Sequence, residues 1–137
     1  MDYKTVVDTN VAVSSLLSKG KRTAVTDFMD IIFAGDVLPI ASKEIFDEYE
    51  DVLYRSKFNF SKKAVDSLIG FFRQNSIMAE TWDTGVELPD ESDLPFFEAY
   101  IAEQSPETFL VTGNIKHYPD WPYIVTPRAM VQILAEE

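Results

Sequence analysis

Polar residues follow the apolar runs of this sequence at the points where predicted strands end. Asp-Thr-Asn at 8–10 follows a β-branched run at 3–7, Thr-Gly-Asn at 112–114 ends a second run, and Thr126 ends a third. In an open parallel sheet, the crevice that binds ligands lies outside the carboxyl ends of the strands. A single Asp in such a place can equally cap the next helix, but several polar ends together favour a functional site.

Acids elsewhere in the chain could join such a crevice. Asp90, Glu91 and Asp93 lie in a polar loop that leads into an apolar helix pattern. A second group of five acids lies within residues 44–51, on a predicted helix. On a helical wheel only Glu48 and Glu50 border the apolar face, and periodicity does not separate these two.

Carboxylates gathered at one crevice suit hard divalent cations, which prefer oxygen ligands. Two such ions about 3.5–4 Å apart can activate a water and stabilise the leaving oxygen of a phosphodiester. Without cations, the same carboxylates would repel one another and their pKa values would rise. The acids therefore predict a site for Mg2+ or Mn2+ that acts on phosphate esters.

Other kinds of catalytic site have little support in the sequence. The chain has no cysteine, which excludes disulfides, zinc–thiolate sites and thiol nucleophiles. Its one histidine, His117, lies in a polar segment, and we expect it to be structural. Neither a Gly-x-Ser-x-Gly elbow nor a glycine-rich phosphate loop occurs.

Composition predicts a single domain over 1–137 with a sizeable core, since 46% of the 137 residues are hydrophobic. The apolar runs are too short to cross a bilayer, and no signal-peptide pattern is visible, so we expect a cytoplasmic protein without membrane partners. The net charge is −11, from 23 acids and 12 bases. A nucleic-acid binder is normally basic, so a charge of this sign needs another explanation. The acids either keep the surface solvated or converge on bound cations.

Strand and helix patterns alternate along the chain, which predicts an α/β fold with a parallel sheet and helices on both faces. Strands are expected at 3–7, 37–41, 77–82, 108–112 and 123–126. Helices are expected at 11–17, 23–34, 43–54, 62–74, 96–102 and 127–134. Ser42 and Ser61 are the predicted N-caps of the third and fourth helices.

Five segments, taken in order, resemble the PIN-domain family and in particular its toxin-like, VapC-type branch. They are Val6-Val7-Asp8-Thr9-Asn10-Val11 with Ser14, the helix from Ser42 to Leu53, Pro89-Asp90-Glu91-Ser92-Asp93 before Phe96-Phe97, Val111-Thr112-Gly113-Asn114, and Val125-Thr126-Pro127. The resemblance implies a PIN-like three-layer α/β/α sandwich with a central parallel sheet of four to five strands. It also implies a metal-dependent endoribonuclease that hydrolyses RNA phosphodiester bonds as the toxin of a type II toxin–antitoxin pair. The implied partners are RNA, a cognate antitoxin protein and a second copy of the chain in a homodimer.

The same resemblance assigns roles to individual residues. The catalytic acids that hold the metal would be Asp8, Glu48 and Asp93, and Asp90 would be an added ligand. The resemblance thus selects Glu48 over Glu50. Asn114 would be the fifth metal-site residue, through its carbonyl oxygen or a water that it orients. It departs from the family, since many members carry Asp there, so a second metal position would be weaker. The supporting residues would be Thr9, Asn10, Ser14 and Thr112.

RNA contacts would have to come from scattered bases. The cluster of Lys19, Lys21 and Arg22 is expected near the mouth of the site, and Lys116 is a further candidate. Arg55 and Lys57 are weaker candidates, and the aromatics Phe58 and Phe60 are compatible with dimerisation.

Two other functions remain open from the sequence. One is a PIN-like binding module with a degraded site, which Asn114 favours. The other is a different acid-rich, Mg-binding α/β phosphohydrolase. Asp8 lacks a second Asp two residues on, which counts against the common Asp-nucleophile phosphatase pattern.

Overall fold

A five-stranded parallel sheet forms the centre of the structure, a computed structural model that describes residues 2–136. The strands are β1 (Lys4–Val7), β2 (Leu38–Ala41), β3 (Ile77–Met78), β4 (Thr108–Val111) and β5 (Ile124–Val125). Their order is β3-β2-β1-β4-β5, and every neighbouring pair is parallel. The predicted α/β class is confirmed.

Six helices flank this sheet. They are α1 (Thr9–Leu17), α2 (Ala24–Phe33), α3 (Lys43–Leu53), α4 (Lys62–Asn75), α5 (Leu94–Ala102) and α6 (Pro127–Ala135). Three single 3₁₀ turns accompany them, at Ser56–Phe58, Glu91–Asp93 and Ile115–His117. In the described chain, no helix has the length and apolar character that a membrane span needs.

Side-chain caps explain why several helices begin where they do. The hydroxyl of Ser42 accepts a hydrogen bond from the N–H of Ile45 at 3.2 Å, so α3 begins directly behind β2. Ser61 caps α4 in the same way, through the N–H of Ala64 at 3.1 Å. Both predicted N-caps are confirmed. The cap at Ser42 fixes the start of the helix that carries Glu48.

The third predicted strand is shorter than expected. The pattern at 77–82 predicts six residues, whereas β3 contains only Ile77 and Met78. β3 is an edge strand that pairs with β2 alone, and Met78 is already exposed. Beyond Ala79, whose N–H still bonds to the carbonyl of Ala41, the chain leaves the sheet because no further partner strand is present along that edge in the described residues.

The order of the strands determines where a ligand can bind. From β1 the chain moves outward to β2 and β3, and it then returns to the other side of β1 to form β4 and β5. The direction of progression therefore reverses between β1 and β4, which is the point where open parallel sheets form a crevice. Both strands are buried along most of their length, and they end at Val7 and Val111. The residues that follow them, Asp8 and Thr112, are consequently neighbours.

Candidate metal centre

An open cleft of about 540 Å³ lies at the carboxyl ends of β1 and β4. Five carboxylates line it: Asp8, Glu48, Asp51, Asp90 and Asp93. They come from the end of β1, from α3 and from the turn that leads into α5. The crevice predicted from the strand ends is therefore present, and it is acidic.

Asp8 occupies the N-cap position of α1, but its side chain makes no capping hydrogen bond. One carboxylate oxygen, Oδ2, instead accepts hydrogen bonds from the hydroxyl of Thr112 at 2.8 Å and that of Tyr118 at 2.9 Å. The side-chain amide of Asn10 donates a longer bond to it, at 3.3 Å. Burial raises the pKa of Asp8, while the bonds from Thr112 and Tyr118 lower it. The carboxylate is thus held in one orientation at the floor of the cleft.

Asn10 joins the ends of the two central strands. Its side-chain oxygen accepts a hydrogen bond from the N–H of Gly113 at 2.8 Å. The neighbouring N–H, of Asn114, donates to the hydroxyl of Thr112 at 2.9 Å. A Cβ atom on Gly113 would lie 3.2 Å from the side-chain oxygen of Asn10, which is closer than ordinary packing allows. The absence of a side chain at Gly113 therefore lets the segment after β4 approach the one after β1.

Asp93 forms the second buried acid of the cleft. It is only 7% exposed, and its Oδ2 lies 2.9 Å from Nδ1 of His117. Burial, followed by the nearby charge of Asp8, raises the pKa of Asp93 to about 6. Ligand atoms of Asp90, Asp93 and His117 all lie within 4.8 Å of one another, close enough for one ion to bridge them.

Asp90 is exposed and already oriented. Its Oδ1 accepts bonds from the N–H and the hydroxyl of Ser92 at 2.9 and 2.8 Å. These bonds lower the pKa of Asp90, so it is ionised over the neutral range.

Glu48 and Glu50, which periodicity left equivalent, lie in different environments. Glu48 lines the cleft and is half-buried. Burial raises the pKa of Glu48, and the charge of Asp51 raises it further. Glu50 is exposed and forms an ion pair with Arg73 of α4. Of these two acids, only Glu48 lines the cleft together with Asp8.

The hydroxyl of Thr9 is an unpartnered polar group next to the cleft. Thr9 is 7% exposed, and within residues 2–136 its Oγ1 has no hydrogen-bond partner. A buried polar atom without a partner is costly, and most such atoms in proteins are satisfied. Thr9 lines the cleft beside Asp8. Because this oxygen is covered by neighbouring atoms, a water or a phosphate oxygen would reach it only after a small movement of the residues around it.

The donor set fits a hard divalent cation. Carboxylates and amide oxygens are the ligands that Mg2+ and Mn2+ accept, and Asn114 lines the cleft together with the five acids. Raised pKa values at Asp8, Glu48 and Asp93 show that the cleft disfavours bare negative charge. A bound cation would relieve that cost.

The predicted RNA-contacting bases lie elsewhere. Lys19, Lys21 and Arg22 follow the far end of α1, a nine-residue helix about 13 Å long, and none of them lines the cleft. Arg22 forms an ion pair with Asp27 at 3.1 Å. Ser14 is exposed on α1 and does not line the cleft either. The structure brings none of these four residues to the acids, so their proposed roles stay predictions.

Lys116 is exposed in the 3₁₀ turn beside the cleft but does not line it. Its role in RNA contact likewise stays a prediction. The bases that do line the cleft are Arg55 and Lys57, the two weaker candidates of the sequence.

Two site residues were missed by reasoning from the sequence. His117 was expected to be structural, and Tyr118 received no role, although both bond to the acids. The available signal was their position, because both lie in the short segment behind the end of β4, where the crevice rule applies. That rule would have included the whole of 112–118.

Comparison with known proteins agrees with this geometry. A family model described as the PIN domain matches residues 4–116, which include Asp8, Glu48, Asp93 and Asn114. No match was found among curated proteins, and none among solved structures. PIN domains are generally Mg-dependent nucleases, and the acidic cleft is where such chemistry would take place. Since the match covers most of the chain, this protein belongs to the PIN-domain family.

Proposed function

We propose that this protein is a Mg2+- or Mn2+-dependent endoribonuclease, and that it acts as the toxin of a type II toxin–antitoxin pair. The observation that carries the nuclease proposal is the acidic cleft that Asp8, Glu48 and Asp93 all line. The toxin role rests on the resemblance of the five segments to VapC-type ribonucleases. The same resemblance supports RNA as the substrate, with an antitoxin and a second copy of the chain as partners.

In this proposal the acids have distinct tasks. Asp8, Glu48 and Asp93 hold the cation, and Asp90 adds a ligand at the exposed side. When bound, the cation lowers the pKa of a water and neutralises charge on the phosphate. Tyr118 and Thr112 hold the Asp8 carboxylate in position through their hydroxyl groups. The free hydroxyl of Thr9 can donate to a phosphate oxygen.

A second candidate function is a PIN-like module that binds RNA with little cleavage. Asn114 favours it, because an amide is a weaker metal ligand than the carboxylate found there in many relatives. His117 counts against it, since its imidazole lies with Asp90 and Asp93 within bridging distance of one ion. We propose that His117 partly compensates for the amide that stands at Asn114 in place of a carboxylate.

The central experiment measures cleavage of single-stranded RNA by the purified protein. We expect cleavage with Mg2+ or Mn2+ and none with EDTA. Asp8→Asn and Asp93→Asn should each reduce the rate at least about 100-fold, since even residues that only support a metal ligand affect activity 10- to 100-fold. Asp47→Asn is the matched control, because Asp47 is an exposed acid of α3 that pairs with Lys43 outside the cleft. If folded Asp8→Asn and Asp93→Asn proteins cleave like the wild type, the site is wrongly assigned.

The toxin role needs a test in cells. Expression of the wild type should arrest growth, Asp8→Asn should not, and the product of the adjacent gene should relieve the arrest. Cleavage in vitro without growth arrest would indicate a nuclease with another cellular role.

A further inference from the structure

The short segment between α3 and α4 carries two stacked phenylalanines. Phe58 and Phe60 lie with ring centroids 5.3 Å apart and ring planes only 4° from parallel. Asn59 between them has a left-handed backbone with φ of 52°, which brings their side chains together. Asn tolerates this conformation better than most residues. We call residues 57–60 the aromatic loop.

The aromatic loop lies at the wall of the acidic cleft. Lys57 and Phe58 line the same cleft as Glu48 and Asp93. The ammonium group of Lys57 lies 5.1 Å from the centroid of the Phe58 ring. In the part of the chain that the structure describes, Lys57 forms no ion pair, whereas Arg55 nearby is paired with Asp51 at 2.8 Å. Lys57 is therefore the base of this wall that is available to a new anion.

We propose that the aromatic loop is a stacking platform for a base of single-stranded RNA whose backbone enters the cleft. This inference rests on the proposed function. Proteins that hold single strands combine cationic side chains with exposed aromatic rings, because every base has a face that can stack. Phe58 is half-buried and Lys57 is exposed. A base that stacks on Phe58 would displace the ammonium of Lys57, since a cation–π contact to an exposed lysine is weaker than base stacking. Lys57 would then be free to pair with a phosphate.

Charge favours RNA over a second copy of the chain as the occupant of this surface. The protein carries a net charge of −11, so a copy docked here would bring further negative charge to a wall that already contains Asp51 and Glu48. RNA is also an anion, but its scissile phosphate would be neutralised by the cation in the cleft. Single strands are favoured over duplexes because the bases of a duplex are already stacked and paired.

The test measures binding of a fluorescein-labelled oligo(U) by anisotropy in low salt with Ca2+ in place of Mg2+, so that a hard cation can still neutralise the phosphate in the cleft. Gel electrophoresis of the recovered oligo(U) checks that it stays uncut. We expect Phe58→Leu to weaken binding about tenfold, because leucine keeps apolar volume but removes the ring. Phe58→Trp should preserve binding, and its fluorescence should change when oligo(U) is added. Lys57→Gln should weaken binding severalfold, whereas a duplex should bind Phe58→Leu and wild type equally. Lys63→Gln and Trp82→Leu, exposed residues outside the cleft, are the matched controls and should bind like the wild type.

Other results would overturn the platform. The platform is wrong if folded Phe58→Leu binds oligo(U) as tightly as the wild type. If sedimentation also shows that this variant shifts from dimer to monomer, the aromatic loop is a contact between copies of the chain. If Phe58→Leu does not fold, two other results together contradict the proposal. Lys57→Gln would bind oligo(U) like the wild type, and the fluorescence of Phe58→Trp would not change when oligo(U) is added. The proposed nuclease function is judged separately, by cleavage in Mg2+. If the protein binds oligo(U) through Phe58 but never cleaves RNA, the stacking platform is supported and the nuclease function is rejected.

Discussion

Buried carboxylates without cations put the cleft under electrostatic strain. The pKa values of Asp8, Glu48 and Asp93 are all raised, and burial is the first cause in each case. Repulsion between these acids adds to the shift at Glu48 and Asp93. Each shift means that the folded protein prefers the protonated acid more than the unfolded chain does. The site therefore opposes folding at neutral pH until a cation binds.

The stability of the metal-free protein should consequently depend on pH. The folded pKa of Asp93 is about 6, above its ordinary value of 3.8, so its stabilising contribution is complete below about pH 4 and is lost as the pH rises through 6. In EDTA, the free energy of unfolding should fall between pH 5 and pH 7.5. Asp93→Asn should flatten this fall and be more stable at pH 7.5 by about 1–3 kcal/mol, since one pKa unit corresponds to about 1.4 kcal/mol.

Urea denaturation over this pH range provides the measurement. Asp47→Asn is the control, and it should keep the wild-type fall because Asp47 lies outside the cleft. A wild-type stability that rises steadily from pH 5 to pH 7.5, with Asp93→Asn parallel to it, would show that Asp93 is not strained.

The sequence predicted Asp8 and Glu48 as site residues but missed His117 and Tyr118, and the difference has a physical reason. Asp8 follows a buried strand, and the end of a parallel strand has a fixed place in such sheets. Glu48 differs from Glu50 only through what packs against each side of α3, which a helical wheel does not contain. His117 and Tyr118 reach the acids because the turn after Asn114 brings the chain back over the end of β1. The position of this segment behind the end of β4 indicates that it lies near the crevice, but no local pattern shows which of its side chains contact the acids.

At the scale of the elements, most of the fold follows from local patterns. All five strands and six helices were predicted, because buried parallel strands read as apolar runs and the helices carry clear faces and caps. The errors lie at element ends. α1 begins at Thr9 rather than Val11, and α5 begins at Leu94 rather than Phe96, since Pro95 is accommodated in a first turn. Strand order has no comparable signal, so the pairing of β1 with both β2 and β4 came from the structure.

The junction between the ends of β1 and β4 can be tested at Gly113. Gly113→Ala should displace the side chain of Asn10 by a few tenths of an ångström and weaken its bonds to the Gly113 N–H and to Asp8. We expect a loss of about 1–2 kcal/mol in unfolding free energy and a severalfold lower cleavage rate. Gly70→Ala is the matched control, because an added Cβ there meets nothing within 4 Å. Gly70 lies inside α4, so this control should stabilise the protein by about 0.5–1 kcal/mol.

Equal stability and cleavage of Gly113→Ala and wild type would contradict the role given to this junction. Both variants replace Gly with Ala. If urea denaturation shows that the free energy of unfolding falls in Gly113→Ala and rises in Gly70→Ala, the difference is due to position alone.

At the scale of the whole molecule, the site links distant parts of the chain. Its acids come from β1, α3 and the turn before α5, and the segment after β4 orients them. A cation that binds these groups only in the folded state should stabilise the entire protein. We expect Mg2+ or Mn2+ to raise the free energy of unfolding by about 2.7 kcal/mol at a concentration 100 times the dissociation constant.

Thermal unfolding across a series of metal concentrations measures this linkage. NaCl of equal ionic strength is the control, and it should give a smaller shift. Asp8→Asn should lose most of the shift produced by Mg2+. A metal-induced shift of the same size in Asp8→Asn would place the bound ion outside the cleft.

The sheet order also has a consequence for the time at which the protein becomes active. The partners of Asp8, Thr112 and Tyr118, follow it by 104 and 110 residues, and they reach it only after β4 has paired with β1. Contacts between such distant residues form slowly, because a long loop must close first. During synthesis, a ribosome-bound chain that ends between residues 93 and 111 contains every acid of the cleft but neither Thr112 nor Tyr118, which fix Asp8. For a protein proposed to destroy RNA, this arrangement delays assembly of the complete site until most of the chain has left the ribosome.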